Sequence, residues 1–443
     1  MKPIIALCSF LTVAIGCGPM AGSGPRARLT DGAPAQGSLA ESRTVSASDS
    51  AYHDLLKLVD GLSPETLKAV DTPMPQRVAG QKAMLVAVGM EFEPAVRKLT
   101  DSHPWQLPAA AGIGSEDQSG GEISDLGKVK IAAKLLYAYA ETVEEGGNPE
   151  LGARALLTCR QLGMRVMEDS RSLIVSFVGI AVDAIADKGI RTAILRGNWG
   201  AGEIKSVQGQ GAGRFSAAVS LGKSLESEFE NSVLPIIGRS TFPVRDREKQ
   251  PWLQGTDEEV LSFMEQNPHP FDQAQTAEMA RKYVQLSIGE LQTNPLDGRA
   301  SAKFWEEAVG DVPTEEADER AMLTWCKTKP NAFGRYLLSV TMPAIGQARQ
   351  AAIRNEAIRG LTEVAMAARR GWAETGKLPA TYGDLKAFGL PSDVSDPYTG
   401  KAYQYDPDRG IAWSTGPDGQ DDGGQDPPES HRDDAKDWVV RVK

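Results

Sequence analysis

A helical hairpin pattern in the first half constrains this chain more than any other feature. Residues 126–143 place Leu126, Val129, Ala132, Ala133, Leu136, Tyr139 and Val143 at three- and four-residue spacing, on one helical face. Gly146-Gly147-Asn148-Pro149 breaks that helix and starts another, in which Leu151, Ala155, Leu156, Cys159, Leu162 and Val166 repeat the spacing. Two amphipathic helices on so short a link must lie side by side, and their apolar faces call for further helices to cover them.

The surrounding sequence supplies them. Leu55, Leu56, Leu58, Val59 and Leu62 suit an amphipathic helix, and Ser63-Pro64-Glu65 opens the next with a cap and Pro at the first position. The apolar run Leu173–Val182 is too short to span a bilayer and is bracketed by Asp169, Arg171, Asp183 and Asp187, so it reads as a buried central helix. Residues 200–212 read as a Gly-rich break and lack the Gly-Lys-Ser/Thr of a phosphate loop. Residues 238–256 and 292–300 read as loops. From Phe333 to about Trp372 a long helical stretch follows, which Pro343 kinks or divides. The hairpins are similar to tetratricopeptide-type units but show no 34-residue repeat. The expected fold is therefore mainly α, an irregular helical array over residues 51–345.

Residues 346–443 form a small α+β domain in this reading, a long helix and a short antiparallel sheet. Gly376 to Pro379 ends the helix, and Tyr382, Leu385, Phe388 and Leu390 make a packed turn. Tyr403–Tyr405 and Ile411–Trp413 alternate around Asp406-Pro-Asp-Arg-Gly410, which predicts a hairpin, and Trp438–Val442 predicts a last strand.

The N-terminus reads as an export leader. Lys2 precedes an apolar run over residues 4–15, the length of a signal-peptide core. Ala14-Ile15-Gly16-Cys17 follows, similar to the lipobox of bacterial lipoproteins. That resemblance implies cleavage after residue 16 and acylation of Cys17 (palmitate among the chains), and Gly18 implies sorting to the outer membrane. An ordinary secretory peptide and a retained anchor are the alternatives. Residues 17–50 are rich in Gly, Ala, Ser and Pro and read as a disordered tether between membrane and body.

Charge and chemistry narrow the function. Lys+Arg total 48 and Asp+Glu 59, a net of −11, which opposes nucleic-acid binding. Only four His occur, none in a metal-ligand spacing. Glu91 with Glu93 and Glu315 with Glu316 are acidic pairs of the kind glycosidases use, though a solvated helix face is the commoner meaning. Cys159 and Cys326 fit either one disulfide in an oxidising compartment or two separate buried thiols.

Asp396-Pro-Tyr-Thr-Gly-Lys-Ala-Tyr403, followed by Trp413-Ser-Thr-Gly-Pro-Asp-Gly-Gln-Asp-Asp422, resembles the C-terminal domain of the type II secretion major pseudopilin over roughly residues 350–443. The resemblance implies calcium held in the acidic loop by Ser414, Asp418, Asp421 and Asp422, with Asp433 or Asp434 closing the site. Calcium takes six to eight oxygen ligands on a glycine-turned loop, and Gly416, Gly419, Gly423 and Gly424 suit such a loop; a solvated, metal-free loop is the alternative. With Asn331–Arg335 and the Ser414–Gly424 ending, the chain also resembles planctomycete- and myxobacterial-type bacterial lipoproteins, which implies an architecture and no activity. The expected function is a non-enzymatic envelope lipoprotein, a helical scaffold or binding protein facing periplasm or surface. Its expected partners are the membrane, through the lipid, and an envelope protein. An accessory of a secretion or pilus-like machine and a hydrolase are the other readings.

Overall fold

The computed structural model describes residues 51–101, 119–210, 216–239, 271–293, 299–313, 319–342, 344–425 and 437–443, with Glu259, Ser262 and Gln266 between. The leader, Cys17, the tether, Glu315 and Glu316, residues 240–256, Asp433 and Asp434 all lie outside the described residues, and Gly238 and Arg239, expected in a loop, end a helix.

Six helices build the first half: α1 (Ala51–Asp60), α2 (Pro64–Asp71), α3 (Ala79–Asp101), α4 (Ser119–Glu145), α5 (Pro149–Glu168) and α6 (Leu173–Leu195). Their ends follow local chemistry. Ser63 caps α2 by accepting from Thr66 N at 3.2 Å, and Ser172 caps α6 by accepting from Val175 N at 3.3 Å. Gly147, at φ +83°, turns the chain from α4 into α5, where the sequence places the break. Leu55, Leu85, Phe92, Leu135, Leu136, Leu162 and Val182 meet in one core. The apolar run forms the start of α6 but is buried on one face only: Val175, Gly179 and Val182 are buried, whereas Ile174 is 56% exposed, which corrects the reading of a wholly buried helix. Helices α5 and α6 approach so closely that a Cβ on Gly163 would stand 2.6 Å from Asp183 N.

Beyond α6 come α7 (Ala201–Val207), α8 (Ala217–Glu228), a π-turn (Phe229–Val233), α9 (Leu234–Arg239), α10 (Gln273–Thr293), α11 (Arg299–Val309), α12 (Glu319–Thr328), α13 (Ala332–Thr341) and α14 (Ala344–Thr375). Two expectations need correction. Residues 201–207 are helix, not a break: Glu203 accepts from Gly200 N at 2.9 Å, and Ile204 and Val207 are buried. The stretch over 292–300 is helical at both ends, in α10 and α11. The long stretch after residue 332 divides, as expected, between residues 341 and 344.

A 3-10 turn (Gly383–Phe388) leads to strands β1 (Gln404–Asp406), β2 (Ile411–Ser414) and β3 (Trp438–Arg441), one antiparallel sheet in the order β1-β2-β3. Tyr405 pairs with Ala412, and Trp413 with Val439. The chain is therefore mainly helical with a small antiparallel sheet near its C-terminus. Ala412, Trp438, Val440 and Val442 join α14 in a core that also holds Tyr139, Leu156, Ile190 and Trp199, so one core runs across residue 345. Among the described residues no helix is long and apolar enough to cross a membrane.

Candidate functional site

The acidic loop after β2 is the site the sequence points to, and its carboxylates are engaged with their own chain. Ser414 Oγ donates to Asp396 Oδ1 at 2.9 Å, and Thr415 N donates to Asp396 Oδ2 at 3.1 Å. Asp418 Oδ1 accepts from Gln420 N, and Asp421 Oδ1 accepts from Trp413 Nε1 and Gly423 N, both at 2.9 Å. Asp437, buried at the start of β3, accepts from Asp422 N and Gly424 N. Burial pushes its carboxyl up, and the charges of Asp421 and Asp422 push the same way. The carbonyls of Gly423 and Gly424 accept from Arg409 Nη1 and Nη2 at 2.6 and 2.5 Å, with the guanidinium over the Trp413 ring. The loop thus covers Ile411, Trp413 and Val439, the face of the sheet turned away from α14.

Ser414 ends β2 and bonds Asp396, Asp418 sits in a local turn, and Asp421 and Asp422 follow in the loop. Among the described residues no group of three His, Cys, Asp or Glu is set to hold a metal ion. In the described part of the loop, main-chain N–H groups hold Asp418 Oδ1 and Asp421 Oδ1, and Arg409 holds the Gly423 and Gly424 carbonyls. Sequence reasoning missed Asp396, Asp437 and Arg409 as loop-fixing residues. Asp396 lies inside the recognised string, where its place before Pro gave a signal; Arg409 gave none.

The two cysteines are a correction. Both are free: Cys159 is buried in α5, its Sγ 3.8 Å from the Ala133 and Val182 carbonyl oxygens, whereas Cys326 lies in α12 against Trp325, Ala332 and Tyr336. They belong to separate clusters and form no disulfide in this structure; Cys159 is buried, whereas Cys326 is half-buried. Burial pushes the Cys159 thiol well above its ordinary value, with Asp183 and Asp187 adding to it, and burial alone pushes Cys326 to about 12.

Charges read as solvated turn out to be buried. Glu91 is exposed, but Glu93 is fully buried and accepts from Arg97 Nε, Arg154 Nε and Thr158 Oγ1. That corrects the solvated-face reading for Glu93: three donors compensate its desolvation. Between α5, α6 and α14, Arg160 donates to Asp187 at 3.1 Å through Nε and to Glu363 at 2.9 Å through Nη1. Asp183 accepts from Asn355 Nδ2 at 2.9 Å and pairs with Arg359 at 2.8 Å, and Arg191 donates to Thr362 Oγ1 at 3.0 Å. Burial pushes Asp187 and Glu363 up against the opposing pull of Arg160.

A cleft of about 480 Å³ opens between the Val70–Arg77 segment, α4 and α6. Lys134, Tyr137 and Glu141 line it from one face of α4, and Ile185, Lys188 and Arg196 from α6 and its C-terminal end. Glu141 binds Arg77 at 3.3 Å, Tyr137 Oη at 3.2 Å and Arg196 at 3.5 Å. Burial, with the charge of Glu141, pushes Tyr137 up to about 12, so its phenol stays protonated at neutral pH. Nothing in the local sequence marks this cleft, because its walls come from three separated segments. No protein-family model matches the chain, and neither a curated protein nor a solved structure is significantly similar to it.

Proposed function

We propose that this chain is a non-enzymatic cell-envelope lipoprotein, anchored through acylated Cys17, whose helical body is a scaffold or binding platform. The observation that carries the reading is the buried charge network between α6 and α14, the helix on which the C-terminal sheet packs, in a body with an open cleft. Lys2, the apolar run over 4–15 and Gly16-Cys17 support the anchor. The engagement of Glu93, Asp183, Asp187 and Glu363 in helix-to-helix contacts supports a structural over a hydrolytic use of buried acids. Metabolic labelling with a palmitate analogue tests the anchor: the wild type takes up label and fractionates with membranes, and Cys17→Ser does neither. An equally membrane-bound, unacylated wild type would sink the lipoprotein reading.

Calcium belongs to the proposal through Ser414, Asp418, Asp421 and Asp422 with Asp433 and Asp434. A melt that shifts down on chelation supports it. A chelator-insensitive melt, with no metal in the purified protein, removes calcium and leaves the scaffold intact. A second reading, an accessory of a type II secretion or pilus-like machine, draws support from a long helix followed by a turn and a three-stranded sheet. Affinity capture that repeatedly lacks secretion components would remove it.

A further inference from the structure

The cleft beside α4 has more cations than acids in its lining. Arg77, Lys134, Lys188 and Arg196 line it against only Asp71 and Glu141, in a chain whose net charge is −11. Lys134 is matched by Asp71 at 2.8 Å, but the exposed Lys188 ammonium has no ion pair among the described residues. Arg77 is the anchor. Its side chain is 3% exposed, Nε donates to Thr72 O, and Nη1 reaches Ala138 O, Glu141 and Thr142. A guanidinium fixed this way loses no further side-chain freedom when it meets an anion.

The wall is fixed as well. Gln81 accepts from Val78 N and donates to Thr72 Oγ1, so the turn carrying Pro73, Met74 and Pro75 is tied to the start of α3. Those residues, with Val70 and Ile185, set apolar surface among the cations that line the cleft. The cleft is more open than enclosed, so a chain laid across it can keep one side in water.

We propose that this cleft is a docking site for an extended acidic peptide segment of a partner protein, with a carboxylate on Lys188 beside the fixed Arg77 guanidinium and apolar side chains on Pro73, Met74 and Ile185. The proposal rests on the scaffold reading and is independent of the anchor. Charge complementarity selects this occupant: the cleft is cationic on an acidic protein, so basic and neutral segments gain nothing there.

The probe is a fluorescein-labelled peptide of alternating Glu and Leu, measured by anisotropy with the detergent-purified full chain at low salt. Its counterpart of alternating Lys and Leu is the control. The Glu peptide binds and the Lys peptide does not, and Lys188→Glu weakens binding about tenfold while the remote exposed Lys223→Glu does not. An unaltered melt for Lys188→Glu assigns that loss to the cleft. Absence of binding, or equal losses from both substitutions, overturns the proposal. So does displacement by free glutamate or inorganic phosphate at the peptide's own concentration, which would make the cleft a small-anion site. Failure here with Cys17 still acylated leaves the envelope reading standing, and binding that survives Cys17→Ser separates the two the other way.

Discussion

Replacing Arg160 by Met tests the buried network directly. Arg160 is 1% exposed and is held by two carboxylates, Asp187 from α6 and Glu363 from α14, both fully buried. Met fills much of the same volume but leaves two acids without their shared cation. Removing one partner of such a pair costs about 3–5 kcal/mol, because the uncompensated charge stays buried. Arg160→Met should therefore lower the urea midpoint by that order. The triple variant Arg160→Met, Asp187→Leu, Glu363→Met should recover most of the loss, since well-packed apolar groups often replace buried ion pairs at little cost. The pH dependence has a definite sign. Burial holds Asp187 and Glu363 above their ordinary values, so the unfolded chain releases these protons first as pH rises. Stability from the pair is full below the unfolded values and falls as pH climbs through the folded ones. Without Arg160 the folded values rise further, so the deficit of Arg160→Met should be larger at about pH 8 than at about pH 5. Midpoints followed by far-UV circular dichroism at both pH values decide it. A loss below about 1 kcal/mol, or a deficit that grows towards acid, would refute the reasoning.

Other positions give sharper single readouts. Arg409→Ala removes both guanidinium bonds to Gly423 and Gly424 and uncovers Trp413; it should cost about 1 kcal/mol and speed cleavage within residues 416–425, followed by limited proteolysis and mass spectrometry. Gly163→Val forces α5 and α6 apart at Asp183 and should lower stability by more than about 3 kcal/mol, read as a thermal-melt shift. Non-reducing peptide mapping should find no Cys159–Cys326 bridge, and Cys159 should resist alkylation until the protein is unfolded.

The helices were legible because periodicity and caps are local. Leu126 to Val143, the Gly-Gly-Asn-Pro break and Ser63-Pro64 each carry their own instruction, and the structure follows each. The buried charges were not legible for the opposite reason. Asp183 and Asp187, read as bracketing a short apolar run, find their partners 172 and 27 residues away, at Asn355 and Arg160. No local pattern separates a carboxylate that meets water from one that meets a distant guanidinium. The acidic loop lies between these cases. Its glycine turns were legible, but the identity of its clamp, Arg409, depends on how the hairpin folds back.

Helix α14 carries two faces of demand, and this bears on whether the tail can stand alone. Tyr403 Oη donates to Ala357 O at 3.1 Å, and a Cβ on Gly360 would stand 2.1 Å from that hydroxyl, so the sheet sits directly on the helix. On its other sides the same helix sends Asn355, Arg359, Thr362 and Glu363 into the network with α5 and α6. A fragment of residues 346–443 would expose those polar groups without partners, together with Ala352, Leu361 and Val364. A fragment ending at residue 375 would lose Trp438, Tyr403 and Val440 from the shared core, at about 1.5–3 kcal/mol for each large side chain uncovered. Neither fragment should unfold cooperatively by itself, and mixing the 346–443 fragment with one ending at residue 345 should restore a single transition in a calorimetric melt. A cooperative transition for the isolated 346–443 fragment would mean that the tail is a separate module resting on the body, and the network through Asp183 and Glu363 an adornment rather than the joint.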